Sequence, residues 1–110
     1  MTMIKIAIYK NSQGIYRGFK SLGHAGYDAY GSDIVCSAVS VLVLNTVNSI
    51  EAFTKDQMRV RQNADGGMLE VRFDSEISDS TRLLMDAMVL GLKTIQNDYK
   101  KYILLKIKEV

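Results

Sequence analysis

An α+β domain is predicted, with element order ββαββαβ and a mostly antiparallel five-stranded sheet packed with two helices. Three observations predict it. Alternating apolar residues mark two pairs of short strands, each pair joined by a turn cluster. A long stretch without Gly or Pro separates the pairs, and an amphipathic stretch leads into a last strand.

Residues 3–10 put Ile4, Ile6 and Ile8 on one side and Lys5 and Tyr9 on the other, the period of a half-buried strand. Asn-Ser-Gln-Gly (11–14) is a turn, and 15–22 reads as a returning strand in which Gly18 marks a bulge or a close backbone approach. A loop, Gly23 to Gly31, holds three glycines and two tyrosines. Ser32 to Phe53 then runs for 22 residues without Gly or Pro. Its many valines favour strand singly, but strands average about 5–6 residues, so length predicts one helix, apolar on most faces in its first half and hence buried. Ser32 or Asp33 is the expected N-cap. Residues 57–62 and 68–74 form a second hairpin around 63–67, with Arg59, Arg61 and Arg72 expected on its solvent face. From about Ser78 to Lys101 the apolar positions Leu84, Met88, Leu92, Ile95 and Tyr99 step by 4, 4, 3 and 4, an amphipathic helix with Lys100 and Lys101 at its negative end. Residues 102–109 close as a strand.

The chain has 110 residues, which fits a single domain, 1–110. Hydrophobic residues make up 47%, too many for disorder, and 14 basic against 12 acidic residues leave no strongly charged arm. One Cys excludes an internal disulfide, and one His plus one Cys cannot fill a zinc site. No cofactor motif is present. The start lacks the continuous apolar core of a signal peptide, and the longest apolar run, Ile34 to Leu44, is well short of the ~20 residues that span a bilayer. A cytoplasmic location, with no membrane partner, is the expectation.

The only His and the only Cys lie 12 residues apart, His24 in the glycine-rich loop and Cys36 just inside the long helix. Singly, a lone Cys is most often a small buried hydrophobe and a lone His a solvated polar group. Together, with a cap at Ser32 or Asp33, Cys36 falls in the first helical turn, where unpaired N–H groups and the positive dipole end stabilise an anion. An imidazolium nearby would hold a thiolate, and the same amides would serve as oxyanion donors. Asp33 and Asp28 are the carboxylates available to orient the imidazole, helix capping being the competing role for Asp33. Ser40 lies one helical turn after Cys36 on the same face.

The text Gly23-His24-Ala25-Gly26-Tyr27, followed by Gly31-Ser32-Asp33-Ile34-Val35-Cys36-Ser37-Ala38-Val39-Ser40, resembles the ribosomal-processing cysteine proteases of the Prp family. The match is tight over the motif-bearing third, and length and element order agree over the rest. The resemblance implies a cytoplasmic bacterial endopeptidase that removes a short N-terminal extension from a large-subunit ribosomal protein. It carries the catalytic base onto His24, the nucleophile onto Cys36, supporting roles onto Asp33 and Ser40, and the loop glycines onto Gly23 and Gly26. It also implies a homodimer.

The expected mechanism is thiol proteolysis by a Cys36–His24 pair, with no metal, no cofactor and no direct need for nucleic acid. The loop Gly23–Gly31 is expected to act as a gate, Tyr27 and Tyr30 to contact the peptide or simply pack, and a hairpin edge to pair with it. Two rivals remain. One is a non-catalytic ribosome- or RNA-associated domain binding through Arg59, Arg61, Arg72 and the C-terminal lysines. The other is a dimerisation module with Cys36 as a packing residue.

Overall fold

A computed structural model describes residues 3–23, 30–63 and 67–110. Its elements run β1 (Ile4–Lys10), β2 (Tyr16–Leu22), α1 (Tyr30–Phe53), β3 (Met58–Gln62), β4 (Met68–Phe73), α2 (Asp79–Asp98) and β5 (Ile103–Glu109). This is the ββαββαβ order that the periodicities predict. The five strands form one sheet in the order β3-β4-β2-β1-β5, antiparallel except where β5 runs parallel beside β1.

Local chemistry explains the first hairpin. The Asn11 side-chain oxygen accepts from the N–H groups of Gln13 (2.9 Å) and Ile15 (3.0 Å), and Gly14 takes the positive φ (+77°) that closes the turn. Both readings of Gly18 hold. Tyr9 faces Gly18 while Lys10 faces Tyr16, so Arg17 is the extra residue of a bulge. Gly18 has φ +144°, and a Cβ there would lie 2.1 Å from the Val71 carbonyl oxygen. The bulge shifts the alternation, so that Tyr16 and Phe19, three apart, are both buried. The Tyr16 hydroxyl donates to Asp86 on α2, and burial followed by that carboxylate raises the phenol well above its ordinary range.

One face of the sheet is covered by the helices and the other is open. Ile107, Ile8, Phe19, Val71 and Val60 form one register row across all five strands on the covered face; its three central residues are fully buried. The next row, Lys108, Tyr9, Gly18, Arg72 and Arg59, points to the open side. Arg59, Arg61 and Arg72 lie on this side as expected, but they are ion-paired: Arg59 with Asp74, Arg61 and Arg72 with Glu70.

Three expectations about the helices are corrected. α1 begins at Tyr30, so Ser32 and Asp33 are helical backbone within its first turn and not the non-helical residue ahead of it that an N-cap requires. α1 is also buried along one stripe only: Val35, Val39, Val43, Val47 and Ile50 meet the core, whereas Val41 and Phe53 are 69% and 77% exposed. A helix in a two-layer sandwich has the sheet on one side only, which is why apolar residues remain outside. By length and composition Ile34–Phe53 (mean hydropathy 1.6) is apolar enough to cross a bilayer, because Ser, Thr and Asn interrupt its apolar runs without lowering the average far. Finally, α2 ends at Asp98 with Tyr99 as C-cap, leaving Lys100 and Lys101 in the turn before β5. Its most buried positions are Thr81, Met85, Met88, Val89 and Leu92, while Leu84, Ile95 and Tyr99 flank that stripe half-buried. At its other end Ser78 caps it, accepting from the Thr81 N–H (3.3 Å).

Candidate active site

Cys36 sits on the second turn of α1, half-buried and packed against the edge of the core. The sequence reading set it in the first turn. With the helix starting at Tyr30, the N–H groups left unpaired by the helix end belong to residues ahead of Cys36 and are not those of the turn that carries its sulfur. Placement of the thiol follows from helical spacing. Val35, Val39 and Val43 point into the core, and Cys36 and Ser40, each the next residue along, turn about 100° away toward the rim.

Cys36 and Ser40 line one cleft, between α1 and the neighbouring ends of the central strands. Its floor is apolar: Ile4, Val39, Val43 and Leu69 are buried. The rim is polar and carries Ser21, Ser40 and Gln62. Gly23, the residue before His24, lines the same cleft, as does Gly67 from the β3–β4 connection. The Gly23 N–H donates to the Gly67 carbonyl (2.8 Å), and Gly23 holds φ +102°, a conformation that favours glycine. The end of β2 is thus tied to the second hairpin at the mouth of the cleft.

Of the residues singled out in the sequence, Cys36, Ser40 and Gly23 come together here. His24, Gly26, Tyr27 and Asp28 lie outside the described residues, and Tyr30 and Asp33 are described by their helical backbone alone. Sequence reasoning missed Ser21, Gln62 and Gly67. They reach the cleft because β2 pairs with β4, with Ser21 opposite Leu69 and Leu22 opposite Met68. Nothing local in the sequence signals that pairing.

Chemically, the cleft offers a soft nucleophile at the edge of an apolar floor, with hydroxyl and amide groups around it and a glycine backbone opposite. Among the described residues no cluster of three or more His, Cys, Asp or Glu side chains stands ready for a metal ion. A second polar centre lies away from this cleft. Asp56, in the segment after α1, accepts from the Thr81 hydroxyl and from the N–H (2.9 Å) and hydroxyl (2.7 Å) of Ser78. Chiefly through the Thr81 bond, its carboxyl is held below its ordinary value. It fastens the approach to β3 onto the start of α2.

A small α+β domain with a half-buried thiol in the wall of a cleft, facing a glycine turn that leads to the only histidine, defines the class of candidate thiol hydrolases. The model of the cysteine protease Prp family matches residues 3–104, and the chain belongs to that family. It is similar to the ribosomal processing cysteine protease Prp of Staphylococcus aureus, with 30% identity over 106 residues that cover 96% of this chain and 100% of that one. The protein of the same description from Bacillus subtilis is 29% identical over 102 residues, covering 89% of this chain and 91% of the other. Among solved structures, the S. aureus protease in complex with a covalently linked product peptide matches with a TM-score of 0.89 at 30% identity, over 96% of this chain and 100% of that one.

Proposed function

We propose that this chain is a thiol endopeptidase that removes a short N-terminal extension from a large-subunit ribosomal protein, with Cys36 as nucleophile and His24 as acid and base. The observation that carries the reading is the cleft shared by Cys36 and Gly23, the residue next to His24, in a chain of the cysteine protease Prp family. In this scheme the Cys36 Sγ bonds to the scissile carbonyl carbon. The C–N bond breaks as His24 gives its proton to the leaving amine, and a thioester remains. Water attacks the thioester, His24 takes its proton, and the thiolate leaves. The covalently linked peptide on the S. aureus relative supports a covalent route. Where a carboxylate orients the imidazole, Asp28 and Asp33 are the candidates.

The apolar floor and the exposed rim suit an extended peptide. β3 is an edge strand whose end, Gln62, lines the cleft, so its unpaired backbone groups can take the peptide as an added strand. Two copies of the chain are expected to pair, and the exposed apolar residues Val41 on α1 and Leu83 and Leu90 on α2 support a self-association surface on the helical layer.

Cleavage of a synthetic peptide spanning the extension and the first residues of the mature ribosomal protein tests the reading. The wild-type chain should yield the mature-length product, and Cys36→Ala should lower the rate about a thousandfold or more. Equal product from both overturns it.

A further inference from the structure

The open face of the sheet carries half of the chain's basic side chains. Seven of the fourteen Lys and Arg residues fall on its register rows; Glu70 engages Arg61 and Arg72, and Asp74 just beyond β4 engages Arg59, which leaves the four lysines as the uncompensated charge. Lys5, Lys20, Lys106 and Lys108 line one shallow groove across β5, β1 and β2, together with Tyr9, and no carboxylate lines it. Among the described residues none of these four lysines takes part in an ion pair. The Arg72 guanidinium lies 4.0 Å over the Tyr9 ring, joining the groove to the arginine side of the sheet. In a chain whose charges nearly balance overall, this is a strongly one-sided distribution.

We infer that this open face docks the phosphate backbone of a folded RNA. The lysines project from strands about 4.8 Å apart in a hydrogen-bonded sheet, so their spacing is held by backbone pairing, and a polyanion relieves their mutual repulsion. A second copy of this chain would set one basic face against another. A lipid surface is less well served, because among the described residues the large apolar side chains markedly exposed on this side are Leu22 (44%) and Val110 (58%), at opposite ends of it and not joined in a patch. The choice of RNA among polyanions rests on the ribosomal-processing role proposed above.

Fluorescence anisotropy with a labelled RNA hairpin tests it on the full chain. Wild type should bind at about 50 mM salt and weaken steeply as salt rises. The variant K5E/K20E/K106E/K108E, checked for folding by its urea midpoint, should bind at least about tenfold more weakly. The control K55E/K93E/K100E/K101E has the same net charge and should keep most of the affinity. Should the quadruple variant fail to fold, the pairs K5E/K20E and K106E/K108E are read in its place. Absence of RNA binding by wild type, equal loss in the control, or binding to phosphatidylglycerol vesicles without binding to RNA each overturns the inference. Peptide cleavage by the same wild-type sample is read separately, so cleavage without RNA binding removes the docking face and leaves the proposed enzyme standing.

Discussion

The two faces of the sheet are written in the same strands, one residue out of step. In β1, Ile4, Ile6 and Ile8 are at most 2% exposed, while Lys5 between them looks outward with Lys20, Lys106 and Lys108. The covered face draws its stability from removing apolar area from water, at roughly 25 cal/mol per Å². The open face contributes little of that kind and is left with charge. Stability and the candidate active site therefore belong to the covered side, and the open side is available for recognition of a partner. Substitutions on neighbouring rows, each read as a change in urea midpoint and slope, test this division.

The largest loss is expected from Phe19→Ala. Phe19 is fully buried between Ile8 and Val71 in the central covered row, and truncation there should cost about 3–5 kcal/mol. Gly18→Ala comes next and crosses the boundary, since Gly18 sits in the open row yet its backbone is pressed against Val71 on β4. Positive-φ strain together with the clash should cost about 2–4 kcal/mol, although only one methyl is added. A neutral Gly18→Ala would mean that the β2–β4 approach is looser than described.

How much of this was legible in the sequence follows from the range of each signal. Element type was, because period two and period 3.6 are carried by residues a few positions apart. Strand order was legible only within the two hairpins: the β2–β4 and β1–β5 pairings that order the whole sheet are encoded by no turn or periodicity. The α1 start was misread because Ser32 and Asp33 are strong cap formers and Tyr30 is not, yet the helix takes in all three. At the site, Cys36 and Ser40 were legible through helical spacing and the glycine motif. Gln62 and Gly67 were not, since they arrive from a hairpin 26 or more residues away in sequence through the β2–β4 pairing.

Asp56→Asn tests the seam between the layers and should have a moderate effect. At neutral pH it removes charge-assisted bonds to Ser78 and Thr81, and because the half-buried carboxylate keeps partial access to water the expected cost is about 1 kcal/mol. The sign of its pH dependence follows from the lowered folded value. The contribution is fully present above the unfolded carboxylate value of about 3.9 and is lost as pH falls through the lower folded one. The gap between wild type and Asp56→Asn should therefore be constant at neutral pH and close only below about pH 4. A gap that closes near pH 6 would assign the effect to another group.

The smallest effect is expected from Lys106→Gln. Lys106 is exposed, opposite Ala7 in the open row beside the one that holds Ile8, and it makes no ion pair among the described residues. Its replacement should move stability by less than about 0.5 kcal/mol. If anything, a slight gain is expected as repulsion from Lys5, Lys20 and Lys108 falls, and added salt should shrink that gain because the charges are in water. A loss above about 1 kcal/mol would mean that something covers this face in solution, and a dilution series of the same variant would then show whether that cover is another copy of the chain. An unchanged midpoint at every dilution is the result that keeps the open face free for a partner.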